Sequence, residues 1–145
     1  MIEYMMHHPE GLLVYQTDQI LQLPMTSKRY IKTLCEQALF SYEGYLKACQ
    51  KQTGISYRIP VVIDFETMLI PSGGIRVYET IWINFPAISQ MHETDQGVML
   101  TFISGRRLML EISRMQWMKQ IEVLMEIRNT KVKHFHGHSS RKCLQ

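Results

Sequence analysis

The chain has 145 residues, 46% of them apolar and 20% charged. Those proportions fit one globular domain with a sizeable core and exclude an intrinsically disordered chain. No run approaches the ~18 consecutive apolar residues of a membrane-spanning helix, and the first residues, Met1-Ile2-Glu3-Tyr4-Met5-Met6, lack a basic segment followed by an apolar core, so no signal peptide is expected.

In chain order, residues 12–16 and 20–23 are short apolar runs separated by Thr17-Asp18, a candidate hairpin that Pro24 ends. Thr26-Ser27 offers a helix N-cap, followed by apolar residues at helical spacing: Ile31, Leu34, Cys35, Ala38 and Leu39. Ser41 is a second cap. Behind it Tyr42, Tyr45, Leu46 and Cys49 form an apolar stripe, while Glu43 precedes Lys47 by one helical turn, a spacing suited to an ion pair. Gly54 sits where that helix should stop, because glycine enters the left-handed region without steric cost. After Pro60 the period changes. Val61-Val62-Ile63 and Met68-Leu69-Ile70 predict a hairpin around Asp64-Phe65-Glu66-Thr67, and Pro71-Ser72-Gly73-Gly74 a turn. Tyr78 to Asn84 is β-rich, and two further strands are expected at Val98–Ile103 and Arg107–Ile112, joined at Ser104-Gly105. Ser113 caps a last helix that should pack Trp117, Met118, Ile121, Leu124, Met125 and Arg128 on the sheet. The expected fold is α+β: an antiparallel β meander, two short helices on the N-terminal side and a C-terminal helix packed on the sheet. Residues 1–128 read as the domain and 129–145 as a flexible basic, His-rich tail. No internal repeat is visible.

The net charge of +3 is unevenly spread. Residues 26–60 carry six bases against two acids, and from Ile127 onward there are five bases and no acid. Segregated positive charge suits a polyanion, because each phosphate neutralised releases condensed counterions. Lys28, Arg29 and Lys32, and Lys47 and Lys51, could grip a phosphate backbone, although a solvated helix face explains them equally well. Arg58, Arg76, Arg106 and Arg107 are candidate groove or phosphate contacts on the same terms. Three cysteines without CxxC spacing read as reduced thiols of a cytoplasmic protein. The alternating histidines His134, His136 and His138 lack the fixed geometry of a zinc site, so no metal or other cofactor is expected. Asp64 and Glu66 are explained by turn chemistry, and no catalytic triad, phosphate loop or small-molecule site is recognisable, so the chain does not read as an enzyme.

Three stretches recur at a characteristic spacing: Cys35 with Ser41-Tyr42-Glu43-Gly44; Gly54-Ile55-Ser56-Tyr57-Arg58-Ile59-Pro60 running into Val61-Val62-Ile63-Asp64; and Pro71-Ser72-Gly73-Gly74 with Trp82-Ile83. With Ser104-Gly105-Arg106, Leu110-Glu111-Ile112-Ser113 and Trp117, this order resembles the competence transcription factor family of the ComK type. The resemblance implies an activator of DNA-uptake genes that binds AT-rich double-stranded DNA as a homo-oligomer, largely through the minor groove, and that is open to control by a proteolysis adaptor. It implies no membrane partner. A narrow A-tract groove concentrates negative potential and attracts Arg and Lys, so sequence is read largely as shape. Tyr45 stands where the family tends to carry a base. That difference suggests an alternative, a paralogue that modulates a full-length activator through protein contacts.

Overall fold

The computed structural model describes the backbone of residues 1–73 and 78–144, with side chains up to Lys133. Nine strands and three helices are present among these residues. The N-terminal meander comprises β1 (Ile2–His8), β2 (Gly11–Gln16) and β3 (Ile20–Leu23). Helices α1 (Ser27–Gln37) and α2 (Tyr42–Thr53) follow, then the hairpin of β4 (Val61–Asp64) and β5 (Thr67–Pro71). Strand β6 (Trp82–Asn84) returns to the centre and passes through a short 3-10 turn at Phe85–Ala87. A second meander, β7 (Ile88–Thr94), β8 (Gly97–Phe102) and β9 (Arg107–Leu110), leads into α3 (Arg114–Leu144).

Every strand pair is antiparallel, and the strands form two sheets. The larger has the order β3-β2-β1-β6-β5-β4 and the smaller β7-β8-β9. Strand β1 is therefore central, flanked by β2 and β6. The alternation in β2, with Leu12 and Val14 buried beside less buried Leu13 and Tyr15, is that of a half-buried strand. The aromatic stack Tyr15–Tyr4–Phe102, with ring centroids 4.3 and 5.3 Å apart, joins β2 and β1 to β8 and so ties the two sheets into one core.

The two meanders are built alike, a repeat that the sequence does not display. In each, a glycine opens the middle strand at positive φ, and its Cα faces the last carbonyl of the third strand. A Cβ on Gly11 would lie 2.2 Å from Leu23 O, and one on Gly97 1.9 Å from Leu110 O. Only a residue without Cβ lets the outer strand close at that point.

The helix signals hold in detail. Thr26 Oγ1 accepts the N–H of Arg29, Ser41 Oγ that of Gly44, and Gly54 closes α2 at φ +78°. Ser113 Oγ accepts the N–H of Gln116 and caps α3. Helix α3 packs against β4, β5 and β8 and against α2, so it bridges the two sheets. It does so with Trp117, Ile121, Leu124 and Ile127, all buried. Met118, expected on this face, is 39% exposed, because 3.6 residues per turn carries it away from the line of Trp117 and Leu124. The helix also runs to Leu144, where the sequence reading ends it near Asn129 in favour of a flexible tail. No proline interrupts residues 114–144, and Lys131 anchors the helix beyond the expected boundary.

Candidate nucleic-acid interface

Helices α1 and α2 together present four basic side chains outside the ion pairs of the described residues, Lys28, Arg29, Lys47 and Lys51. Lys28 and Arg29 occupy the first turn of α1, which has no acidic residue. Bases there add to the positive end of the helix dipole, an unfavourable placement for folding and a strongly electropositive one for a partner. Lys32 donates to Glu43 at the start of α2, 2.6 Å away. The Lys32 ammonium, by hydrogen bond and charge, holds the Glu43 carboxyl below its ordinary range. Glu43 thus pairs across to the middle of α1 rather than with Lys47, as its i,i+4 spacing suggests. Lys47 and Lys51 lie one and two turns further along α2, both exposed and outside the ion pairs of the described residues. Beside them on α2 lie the small, exposed residues Gly44 and Ala48. Gly44 has a packing reason: a Cβ there would sit 2.7 Å from Ser41 Oγ and displace the cap.

Beneath this face Tyr45 is buried. Its hydroxyl donates to Pro60 O at 2.7 Å and accepts the N–H of Val62 at 3.0 Å, fixing α2 to the entry of β4. Burial raises its pKa. The charge nearest this ring comes from α3: Lys131 Nζ lies 5.1 Å from the Tyr45 ring and 4.7 Å from Phe40, and donates to Val62 O at 2.6 Å. Desolvation lowers the Lys131 pKa. Position 45 is thus a buried tyrosine, with a half-buried lysine of α3 turned inward beside it.

The arginines fare differently. Arg58 takes left-handed backbone geometry, φ +50°, and its carbonyl accepts Gln120 Nε2 of α3 at 3.2 Å. Gln120 Nε2 also reaches Pro71 O, so the loop before β4 is pinned to the helix. The Arg58 guanidinium lies 5.2 Å from the ring of exposed Tyr57, and its Nε is buried without a hydrogen-bond partner. Arg106 points inward. Its Nη1 is 2.6 Å from Oε1 of Glu3, a fully buried carboxylate, and 3.1 Å from Gln16 O, while the guanidinium covers Tyr15. Ser104 completes the cradle, donating its N–H and hydroxyl to Glu3 at 3.1 and 2.8 Å. Arg107 stands exposed at the start of β9, paired with Thr101. Arg76 lies outside the described residues. The structure thus leaves Lys28, Arg29, Lys47 and Lys51 exposed on α1 and α2, half-buries Arg58, and uses Arg106 internally.

Several polar residues escaped the sequence reading. Glu3 carries no local motif, since its partners lie about a hundred residues away. His7 links three segments: its Nδ1 bonds Tyr78 O at 2.7 Å, its Nε2 accepts the N–H of Ser27 at 3.3 Å, and its ring stacks on Tyr78. Arg128 lies 5.9 Å over Phe65 at the β4–β5 turn. Within that turn Asp64 Oδ1 accepts the N–H of Glu66, the local role expected of it. The thiols of Cys35 and Cys49 are buried, and burial pushes Cys35 up to about 11 and Cys49 upward as well. No group of three His, Cys, Asp or Glu among the described residues could hold a metal ion. The side chains of the tail histidines and Cys143 lie outside the described residues. Among those residues no helix is long and apolar enough to cross a membrane.

No curated protein and no solved structure matches the chain. The ComK protein family model matches residues 6–133, which spans both sheets, the basic helical pair and α3 as far as its last described side chain. The chain belongs to the ComK family, a family of competence transcription factors rather than enzymes.

Proposed function

We propose that this chain is a cytoplasmic DNA-binding activator of competence genes that recognises AT-rich boxes as an oligomer. The observation that carries the reading is the exposure of Lys28, Arg29, Lys47 and Lys51 on two capped helices, in a chain of this family. The lysines supply phosphate contacts from a rigid platform, and the small Gly44 and Ala48 surface lets a backbone approach. Arg58 beside the platform, with Arg76 and Arg107, supplies further contacts, including insertion into a narrow minor groove. Arg106 is left out of this set because Glu3 holds it.

Fluorescence anisotropy on a duplex with two phased A-tract boxes tests the reading. Log affinity should fall linearly with log salt, and Lys47→Ala/Lys51→Ala should reduce the slope by about two. Arg58→Ala and Arg76→Ala should narrow the preference for AT-rich over GC-rich duplex. Equal affinity for both duplexes, or a slope unchanged in the lysine variant, overturns it. A second reading, a regulatory paralogue acting through protein contacts, draws on the buried Tyr45 and on Arg106, a base that Glu3 withdraws from the surface. Failure to shift any duplex without a partner protein favours that reading.

A further inference from the structure

The loop between α2 and β4 carries two local costs at one residue. Arg58 takes φ +50°, a left-handed conformation that glycine adopts freely and arginine does not. Its Nε is also buried without a hydrogen-bond partner. Tyr57 beside it is 67% exposed, so a large ring stands in water instead of joining the core. The two side chains fold together: the guanidinium carbon lies 5.2 Å from the ring centroid, within the range of a cation–π contact. Backbone strain of this kind persists only where the surroundings enforce it, and it clusters where a surface is preformed for a ligand. Here Gln120 of α3 enforces it. Half-buried, its Nε2 donates to Arg58 O at 3.2 Å and to Pro71 O at 3.3 Å. A bond to the carbonyl of the strained residue resists its relaxation to an ordinary φ.

Charge fits this pair to a polyanion. No Asp or Glu occurs between Glu43 and Asp64, a stretch that holds Lys47, Lys51 and Arg58. Phe65, another exposed ring that carries an arginine, here Arg128, stands between Asp64 and Glu66, whose carboxylates repel a phosphate. The chemistry of the minor groove then divides the work between the two side chains. The floor over A·T pairs offers only acceptors, which suit the donors of a guanidinium. The floor over G·C pairs adds the amino group of G. An apolar ring pressed beside that floor leaves nothing unmatched over A·T, but over G·C it buries an amino group without an acceptor.

We propose that Tyr57 and Arg58 form a preorganised reading head: Arg58 donates to the A·T floor, the Tyr57 ring discriminates against the amino group of G, and Gln120 is the positioning residue of both. This rests on the minor-groove reading above and names the residue that makes its choice of bases. The test compares an A·T box duplex with the same duplex carrying diaminopurine for adenine. That replacement adds the amino group of G to the minor groove and keeps the major-groove face of A·T. Anisotropy on the full chain should give a preference for the unmodified duplex of about tenfold. Tyr57→Ala should reduce the ratio to within about twofold, and Gln120→Glu, of the same size but without a donor, should reduce it in the same direction. A loss of folding lowers affinity for both duplexes alike and leaves the ratio in place, so the ratio separates positioning from stability. Phe65→Ala should keep the ratio of the unaltered chain. A ratio unchanged by Tyr57→Ala, or lowered as much by Phe65→Ala, overturns the reading head, and one unchanged by Gln120→Glu overturns the positioning role. An unaltered chain that prefers AT-rich to GC-rich duplex yet tolerates diaminopurine overturns the proposal and leaves the minor-groove reading's AT preference standing. Equal affinity for AT-rich and GC-rich duplexes overturns both.

Discussion

Replacing Arg106 by alanine separates a structural arginine from a DNA-contacting one. Glu3 is fully buried, and Arg106 is the cation that balances it. Removing one partner of a buried pair leaves the other charge uncompensated, which typically costs about 3–5 kcal/mol. The Ser104 N–H and hydroxyl still hold the carboxylate, so the loss should lie near the lower end, about 3 kcal/mol. With a urea m value of about 1.5–2 kcal/mol/M for a domain of this size, the unfolding midpoint should fall by about 1.5–2 M. Arg107→Ala, one residue along and exposed, should change stability by no more than about 0.5 kcal/mol. Glu3→Gln/Arg106→Met removes both charges and should recover at least about 1 kcal/mol of the single loss. Urea denaturation followed by tryptophan fluorescence reads all three, since Trp82 and Trp117 are both in the core. Equal small losses for Arg106→Ala and Arg107→Ala would refute the argument. So would a fall in DNA affinity for Arg106→Ala at unchanged stability.

Tyr45→Phe deletes one hydroxyl and leaves Pro60 O and Val62 N–H unmatched in the interior; the loss should be about 2–3 kcal/mol by chemical denaturation, and a change under about 0.5 kcal/mol would show that water replaces the hydroxyl. Gly97→Ala drives a methyl into Leu110 O from a backbone at φ +149°, so about 3 kcal/mol or more should be lost, and a neutral result would show that β9 need not close so near. Stability should also decline at alkaline pH. The Cys35 thiol keeps its proton to about 11 in the fold, against 9.0 when exposed, so unfolding releases a proton within that window. Stability is therefore level with respect to this group below 9.0 and falls between 9.0 and about 11. Cys35→Ala should make that part of the curve shallower, leaving the share of buried Cys49 and the later decline from Tyr4 and Tyr42, whose pKa values rise from 10.0 to about 12. An identical slope in the variant would assign the decline elsewhere.

What the sequence displayed was local chemistry. Thr26, Ser41, Gly54 and Ser113 mark helix ends through side chains that bond a backbone group within three residues, or through one glycine φ angle. Such signals survive whatever the rest of the chain does. Strands β1 and β7 were hidden for opposite reasons. Strand β1 buries Glu3 beside Tyr4 and Met5, so no alternation of polarity appears. Strand β7 is an edge strand whose Ser89, Gln90, His92 and Glu93 all face water, so no apolar face appears. The candidate site divides the same way. The lysines of α1 and α2 were legible because exposure follows from helical period. The fate of Arg106 was not, because it is decided by a carboxylate 103 residues away.

The placement of β1 between β2 and β6 also sets a timetable for the chain's synthesis. Its central neighbour on one side is made only at Trp82–Asn84, where the Asn84 amide donates to both Ile2 O and Glu66 O. The counter-charge for Glu3 comes later still, at Arg106. Strand β1 can form a hairpin with β2 early, but its other edge and its buried carboxylate are covered only once β6 and then Arg106, 103 residues after Glu3, have been made. Such non-local closure slows folding and exposes an unpaired strand edge during translation. Until that closure the unpaired edge of β1 is a surface that chaperones and proteases can reach.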